Sequence, residues 1–299
     1  SSNQSISNIP AGQYYILVTD ANGCEIHDSV DIAQPSQIIS SISSVFNYNG
    51  YDISCNGYND GAIDLIVSGS VPQYNYSWIG PNGFTASTDS LVNIFSGTYS
   101  VTITDQNGCL ASESITLIEP TTFNFSVFTS NYNGFHVSCF DSSDAFINHS
   151  LSGSAPPYNF SWTSSVNNFT SNDEDIDSIP AGFYQLMVLD TNNCPYYFDT
   201  LLIEPNALIP LATPTTNYSG YNISCHDSSD GGINLVVNGG ISPYNYSWSN
   251  GSSQTLLTNL VSDTYSVVVT DLNGCLAYDT VILTEPTPLI SNINSVYDY

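Results

Sequence analysis

The chain has 299 residues, 41% of them apolar, and three tryptophans, which is material for more than one hydrophobic core. It carries 27 acidic residues and no lysine or arginine. Nothing can neutralise phosphates, so nucleic acid and anionic membrane surfaces are excluded as partners. Each carboxylate is left with water, a backbone N–H or a metal cation. Trypsin-like proteases find no cleavage site, and uniform negative charge keeps neighbouring copies apart. No apolar run approaches the roughly 18 residues of a membrane span, and no signal peptide is visible. The chain reads as beginning in mid-repeat, so an export signal is expected outside it.

Taken in chain order, the elements repeat. Residues 1–36 read as the C-terminal part of a unit, with a strand over 11–19, an Asp-x-Asn-Gly-Cys turn at 20–24 and a proline at Pro35. Residues 37–120 form a full unit. It opens on Asn47-Tyr48-Asn49-Gly50, and an alternating strand is expected to end at Cys55. A turn carrying Asp60, an apolar strand over 62–67 and a Tyr-Asn-Tyr-Ser-Trp block ending at Trp78 follow. A strand over 97–104, the turn 105–109 and a last strand to Glu119-Pro120 complete it.

The same order runs through residues 121–205, with Cys139, Asp144, Trp162, the turn 190–194 (Asn193 in place of glycine) and Pro205. It recurs in residues 206–286, with Cys225, Asp230, Trp248, the turn 271–275 and Pro286. Residues 287–299 match the start of the next repeat, Val296-Tyr297-Asp298-Tyr299 paralleling Val45-Phe46-Asn47-Tyr48. Period-two alternation and about seven short strands per unit, with turn signals between them, predict an all-β chain of tandem immunoglobulin-like β-sandwiches. Short Glu-Pro junctions predict a linear, semi-rigid rod. Trp78, Trp162 and Trp248 are expected in the cores.

Seven cysteines occupy two repeat positions. Pairing within repeats gives Cys55–Cys109, Cys139–Cys194 and Cys225–Cys275, leaving Cys24 to a partner upstream. This is the favoured scheme, because a sandwich normally folds alone. Pairing across the junctions gives Cys24–Cys55, Cys109–Cys139 and Cys194–Cys225, with spacings of 31, 30 and 31 against 54, 55 and 50. That regularity keeps the second scheme open. Either one implies an oxidising, extracytoplasmic setting. The close Cys-x-x-Cys pairs of zinc sites are missing.

The Ser-Cys…Asp-Gly entry, the block 243–248 (with 72–78 and 157–162 similar) and the Gly-Thr-Tyr…Thr-Asp-x-Asn-Gly-Cys strand and turn together resemble the SprB-type repeat of Bacteroidota surface proteins. The resemblance covers essentially the whole chain. It implies part of a very long cell-surface adhesin or filament exported by the type IX route, some of which move during gliding. It also draws attention to Asp-Ser/Thr-aliphatic triplets, the O-glycosylation motif of such bacteria. These put Ser29, Ser90, Ser178, Thr200 and Thr280 forward as acceptors, three of them five or six residues after a turn cysteine.

Catalysis finds no support. The histidines at 27, 136, 149 and 226 share no repeat position, and no triad or phosphate loop recurs, so the chain is not expected to be an enzyme. Calcium is the cofactor to weigh, with Asp60, Asp105, Asp144, Asp190, Asp230 and Asp271 as candidate ligands. They stand singly, and Asp-x-Asn-Gly also has an ordinary reading as turn chemistry. Expected partners are neighbouring repeats of the same chain, other copies in a filament, and surface polysaccharide held on exposed tyrosines. The rival functions are therefore an adhesin shaft, a polysaccharide-binding module and a secreted biofilm-matrix protein.

Overall fold

A computed structural model describes residues 4–292. The opening of a further repeat at residues 296–299 lies outside the described residues. The first strands are a hairpin, β1 (Gly12–Thr19) with β2 (Glu25–Ile32). The first full repeat holds β3 (Ile39–Ser44), β4 (Gly61–Ser68), β5 (Asn75–Ile79), β6 (Thr85–Ala86), β7 (Ser90–Ile94), β8 (Gly97–Thr104) and β9 (Leu110–Leu117). The second holds β10 (Asn124–Thr129), β11 (Ala145–Ser152), β12 (Asn159–Ser164), β13 (Thr170–Ser171), β14 (Ile176–Ile179), β15 (Gly182–Leu189) and β16 (Pro195–Leu202). The third holds β17 (Ile209–Pro214), β18 (Gly231–Asn238), β19 (Asn245–Trp248), β20 (Leu256–Leu260), β21 (Thr264–Thr270) and β22 (Leu276–Ile282).

The chain divides into two compact units. One comprises residues 1–122 with the short segments 153–156 and 191–194, and the other comprises the rest. Each full repeat is a sandwich of two antiparallel sheets. In the first repeat these are β3-β4-β7 and β6-β5-β8-β9, and in the second β10-β11-β14 and β13-β12-β15-β16. The third repeat has β17-β18-β20 and β19-β21-β22. It lacks a counterpart of β6 and β13, because a tight turn closes directly after Trp248, with Gly251 N–H donating to Trp248 O (2.9 Å). That shortening explains its closer cysteine spacing.

Two features fix the immunoglobulin-like character. A tryptophan is buried in every repeat, on the strand that pairs with β8, β15 or β21: Trp78, Trp162 and Trp248. Each indole Nε1–H donates to a backbone carbonyl, of Thr88 (2.9 Å), Glu174 (3.3 Å) and Gln254 (2.9 Å) respectively. The next strand carries a tyrosine whose hydroxyl donates to the carbonyl four residues upstream. The pairs are Tyr99 to Phe95, Tyr184 to Pro180 and Tyr265 to Val261. Tyr14 does the same to Pro10 in the first hairpin. This tyrosine corner locks the crossing between the sheets.

The segment before each Ser-Cys is not the strand expected from its alternation. Residues 52–54 form bends, and only Tyr51 makes an isolated bridge, to Tyr48. The alternation is real, because Ile53, Val137 and Ile223 are fully buried, each one residue before the serine. They anchor a loop in the core instead of pairing as a strand. The close fit explains a glycine: a Cβ on Gly61 or Gly231 would lie 2.5 Å from the Cδ1 of Ile53 or Ile223. The second repeat has Ala145 at that position and the smaller Val137 facing it, so the volume is conserved.

The second repeat departs from the others in its core. His149 stands where Leu65 and Leu235 stand in β4 and β18. Its side chain is enclosed, and neither ring nitrogen has a hydrogen-bond partner, although the Asp175 carboxylate lies 3.5 Å from Nδ1. Phe125 stacks on the ring at 5.1 Å, and Phe160 and Trp162 meet it edge-on at 5.2 and 6.2 Å.

Candidate functional site: a disulfide-linked junction

The site is built from two loops that recur in every repeat. The first is the Ser-Cys loop. An Asn-x-x-Gly turn opens it, with the asparagine side chain accepting from the glycine N–H: Asn47 from Gly50 (2.7 Å), Asn131 from Gly134 (2.8 Å) and Asn217 from Gly220 (2.9 Å). The residue before the glycine has positive φ, at Asn49, Asn133 and Ser219. Asparagine tolerates this conformation, which favours it there.

Two carboxylates hold the cysteine end of the loop. Asp60, Asp144 and Asp230 accept from the N–H of Ser54, Ser138 and Ser224 at 3.0–3.1 Å. The glutamate of each Glu-Pro accepts from the N–H two residues past the cysteine: Glu119 from Gly57 (2.6 Å), Glu204 from Asp141 (2.7 Å) and Glu285 from Asp227 (2.9 Å). These bonds hold the carboxyls of Asp230 and Glu285 below their usual range. Side-chain and backbone bonds from Ser224 are the leading causes for Asp230, and the bond from the Asp227 N–H leads for Glu285.

The second loop is the Asp-x-Asn-x-Cys turn. Its aspartate Oδ1 accepts from both the asparagine and the cysteine N–H, as Asp20, Asp105 and Asp271 do at 2.7–2.9 Å. Asp105 and Asp271 are buried and use the second oxygen too, accepting from the Ser70 hydroxyl and the Ile241 N–H. The Ser70 bond is the main cause that keeps Asp105 low. Asp190 is likewise buried.

Within the first unit the two loops meet. Cys55 is bonded to Cys194, 139 residues away in sequence. The Asn192 side chain donates to Ser54 O (3.0 Å) and Tyr48 O (3.3 Å), and its oxygen accepts from Asn49 Nδ2 (2.6 Å). The second unit repeats the arrangement, with Cys139 bonded to Cys275 across 136 residues. There Asn273 donates to Ser138 O (2.8 Å) and Tyr132 O (3.5 Å) and accepts from Asn133 Nδ2 (2.6 Å). A turn from one repeat thus plugs into the Ser-Cys loop of the repeat before it. The asparagine reads two backbone carbonyls, and the disulfide locks the fit.

This corrects the expected pairing. Neither the in-repeat scheme (Cys55–Cys109, Cys139–Cys194, Cys225–Cys275) nor the scheme with spacings near 30 is formed. Cys24, Cys109 and Cys225 are free and exposed. The reason is positional: in the second repeat the turn cysteine Cys194 meets the first repeat and the Ser-Cys loop cysteine Cys139 meets the third. Each bridge closes a loop of well over 100 residues, for which chain entropy gives a ceiling of about 4–5 kcal/mol.

Sequence reasoning missed the plug asparagines, Asn192 and Asn273, and the clamp glutamates. Their signal was recurrence at a fixed offset from a cysteine or a proline. Of the aspartates weighed for calcium, Asp60, Asp105, Asp144, Asp230 and Asp271 accept from backbone N–H groups, and Asp190 is buried. The cluster of possible ligand atoms found among the described residues is a different one, His226, Asp227 and Glu285. In it His226 Nδ1 lies 2.8 Å from Glu285 Oε1.

The glycosylation triplets do not share one geometry. Ser29, Ser90, Ser178 and Thr280 are exposed, whereas Thr200 is half-buried. Glu113 and Asp279 each lie four residues after a turn cysteine and face inward. Glu113 accepts from Ser40 Oγ (2.6 Å) and Asp279 from Ala212 N–H (2.6 Å), tying the last strand to the first strand of the facing sheet. In the second repeat Phe198 takes that place, 4.9 Å from Phe125. Asp199-Thr200 is therefore shifted by one residue, which turns Thr200 to the other face.

Comparison with curated protein sequences found no match. Among solved structures the chain is similar to one from a study of host cell surface retention of a 1.5-MDa bacterial ice-binding adhesin, at 14% identity over 86% of this chain and 100% of that one, TM-score 0.40. It is also similar to a tetra-tandem repeat from the extending region of a large adhesion protein, at 14% identity over 94% and 83%, TM-score 0.29. A third is the N-terminal eight Ig domains of Down Syndrome Cell Adhesion Molecule, at 11% identity over 95% and 54%, TM-score 0.39. The fold assignment above rests on the chain's own strand pairings. The SprB repeat profile matches three stretches, each running from an Asn-Gly turn or Ser-Cys loop to just past the buried tryptophan. The chain therefore carries three SprB repeats, at residues 49–83, 136–167 and 221–253.

Proposed function

We propose that this chain is part of the repeat shaft of a long extracellular surface adhesin or filament, and that it performs no catalysis. The observation that carries this reading is the junction, in which successive SprB repeats are joined by a disulfide as well as by the chain. Disulfides persist in oxidising, extracytoplasmic settings. Their use to link domains suits a part that must stay connected outside the cell.

Export by the type IX route, a role in gliding, and glycans on Ser29, Ser90, Ser178 or Thr280 belong to this proposal as its finer detail. The tyrosines support a shaft over a polysaccharide-binding module. Tyr197 and Tyr278 are exposed at matching positions, but Ser112 stands there in the first repeat. Tyr99, Tyr184 and Tyr265 are buried.

The test is imaging of live producing cells with a fluorescent antibody fragment against the repeat. Extended label attached to cells is expected. Label confined to the medium or biofilm would overturn the attached shaft and favour a matrix protein.

A further inference from the structure

We propose that the staggered disulfides make an array of these repeats a two-track tension member, in which pull passes between repeats through sulfur and each track backs up the other. The purpose of such a device rests on the shaft reading, but its chemistry rests on the two bridges alone. The loops they close, 55–194 and 139–275, overlap over residues 139–194. Each bridge joins the Ser-Cys loop of one repeat to the turn of the next, so every bridge begins before the previous one has ended.

Pull that reaches Cys55 crosses to Cys194 and follows the chain to Cys225, the next cysteine of the kind that bonds forward. Pull that leaves Cys109 follows the chain to Cys139 and crosses to Cys275. These are two separate tracks, interleaved along the same polypeptide. The stretch 139–194 ties them together, because it carries one end of each bridge.

The regular cysteine spacings now have a meaning. The intervals of 31, 30 and 31 from Cys24 to Cys55, Cys109 to Cys139 and Cys194 to Cys225 are the polypeptide links between successive bridges on a track. The link from Cys194 to Cys225 contains β16, the Glu204-Pro205 junction and β17. The strands bearing Trp162 and Tyr184 are not on it. In an array that continues by the same rule, each track crosses two repeats on a single such link. Most of each core then hangs off the taut path, and unfolding it adds little length.

The experiment is single-molecule force extension of residues 1–299, held at both ends, with and without reductant. In this piece the shortest covalent path uses both bridges. It runs from residue 1 to Cys55, across to Cys194, back along the tie to Cys139, across to Cys275 and on to residue 299. At roughly 3.3–3.6 Å per extended residue, the oxidised chain is expected to stop at roughly 440–480 Å and the reduced chain at roughly 980–1,070 Å.

The signature of two tracks is that losses do not add. Cys194→Ser alone should lengthen the oxidised chain by only roughly 95–105 Å, and Cys275→Ser alone by roughly 85–95 Å, because the remaining bridge takes the load. The two substitutions together should give the reduced length without reductant, far beyond the sum of the single effects. The limit depends on covalent connectivity, so a variant that folds poorly still gives a readable answer.

If Cys194→Ser alone lengthens the oxidised chain by roughly 180–200 Å, the span of the extended chain between Cys139 and Cys194, the pairing is within repeats and the two-track scheme is overturned. Simple addition of the two single effects in the double variant would overturn it as well. This measurement on purified chain is independent of where the protein resides. A failed track leaves the cell-surface reading standing, and a failed surface reading leaves the track standing.

Discussion

Trp162→Ala is expected to destabilise the second repeat by about 3–5 kcal/mol. Trp162 is fully buried at the centre of a core that includes Val137, Ile147, Leu186 and Val188. Truncation opens a large cavity and also strips the Glu174 carbonyl of its indole donor. A domain of this size holds roughly 0.05–0.15 kcal/mol per residue, so the loss is comparable with its whole stability. Hydrogen exchange resolved by repeat is the measurement. Protection should collapse in β12 and β15 and persist in β19 and β21, whose core is built around Trp248. A loss below about 1 kcal/mol, or equal loss in both repeats, would contradict this assignment of independent cores.

His149→Leu is expected to stabilise the same repeat by about 1–3 kcal/mol, the usual penalty of an unsatisfied buried polar group, and to flatten its response to mild acid. The first and third repeats already carry leucine at this position. Burial among Phe125, Phe160 and Trp162 lowers the His149 pKa, opposed by the nearby Asp175 and Glu174 carboxylates. An unfolded histidine titrates near about 6.5. Between that value and the lower folded one the unfolded chain binds more protons, so stability falls as pH drops below about 6.5.

A second acid window lies lower. The carboxyls of Asp105, Asp230 and Glu285 are held below their usual range. Their contribution is complete above an unfolded pKa of about 4 and is lost as pH falls through the folded values. Melting at about pH 7.5 and about pH 5.5 separates the windows, since only the first should disappear in His149→Leu. An unchanged difference between the two pH values in the variant would remove His149 as its cause.

Much of the fold was legible because the repeat displays the same pattern three times. The Trp-bearing block, the alternating strand after Gly97 or Gly182, and the Asp-x-Asn turn each encode local structure that a single copy would leave uncertain. The Ser-Cys segment misled because alternation records which side chains face the core, not whether the backbone pairs. Ile53 faces inward, but the N–H groups of Asp52 and Ile53 both go to Ile118 O in a loop.

The junction was not legible for a different reason. Spacing arguments compare cysteines that are close in sequence, whereas the real partners lie 136 and 139 residues apart. The near-equal intervals between neighbouring cysteines were a true signal of the connecting links and a false one of the bonds. Asn192 and Asn273 read as ordinary turn residues, since nothing in a turn motif says which carbonyls its side chain will meet. The carboxylates were easier. Without lysine or arginine they turn to neutral donors, and Asp60, Asp105, Asp144, Asp230, Asp271 and the Glu-Pro glutamates all accept from backbone N–H groups.

The most direct test of the junction is disulfide mapping of the oxidised chain by mass spectrometry without reduction. Cleavage at aspartate and glutamate suits the chain, which has no lysine or arginine. Cross-linked peptides joining Cys55 to Cys194 and Cys139 to Cys275 are expected, with Cys24, Cys109 and Cys225 open to alkylation. Peptides joining Cys55 to Cys109 and Cys139 to Cys194 would contradict the account, and would return each repeat to a separately stapled domain.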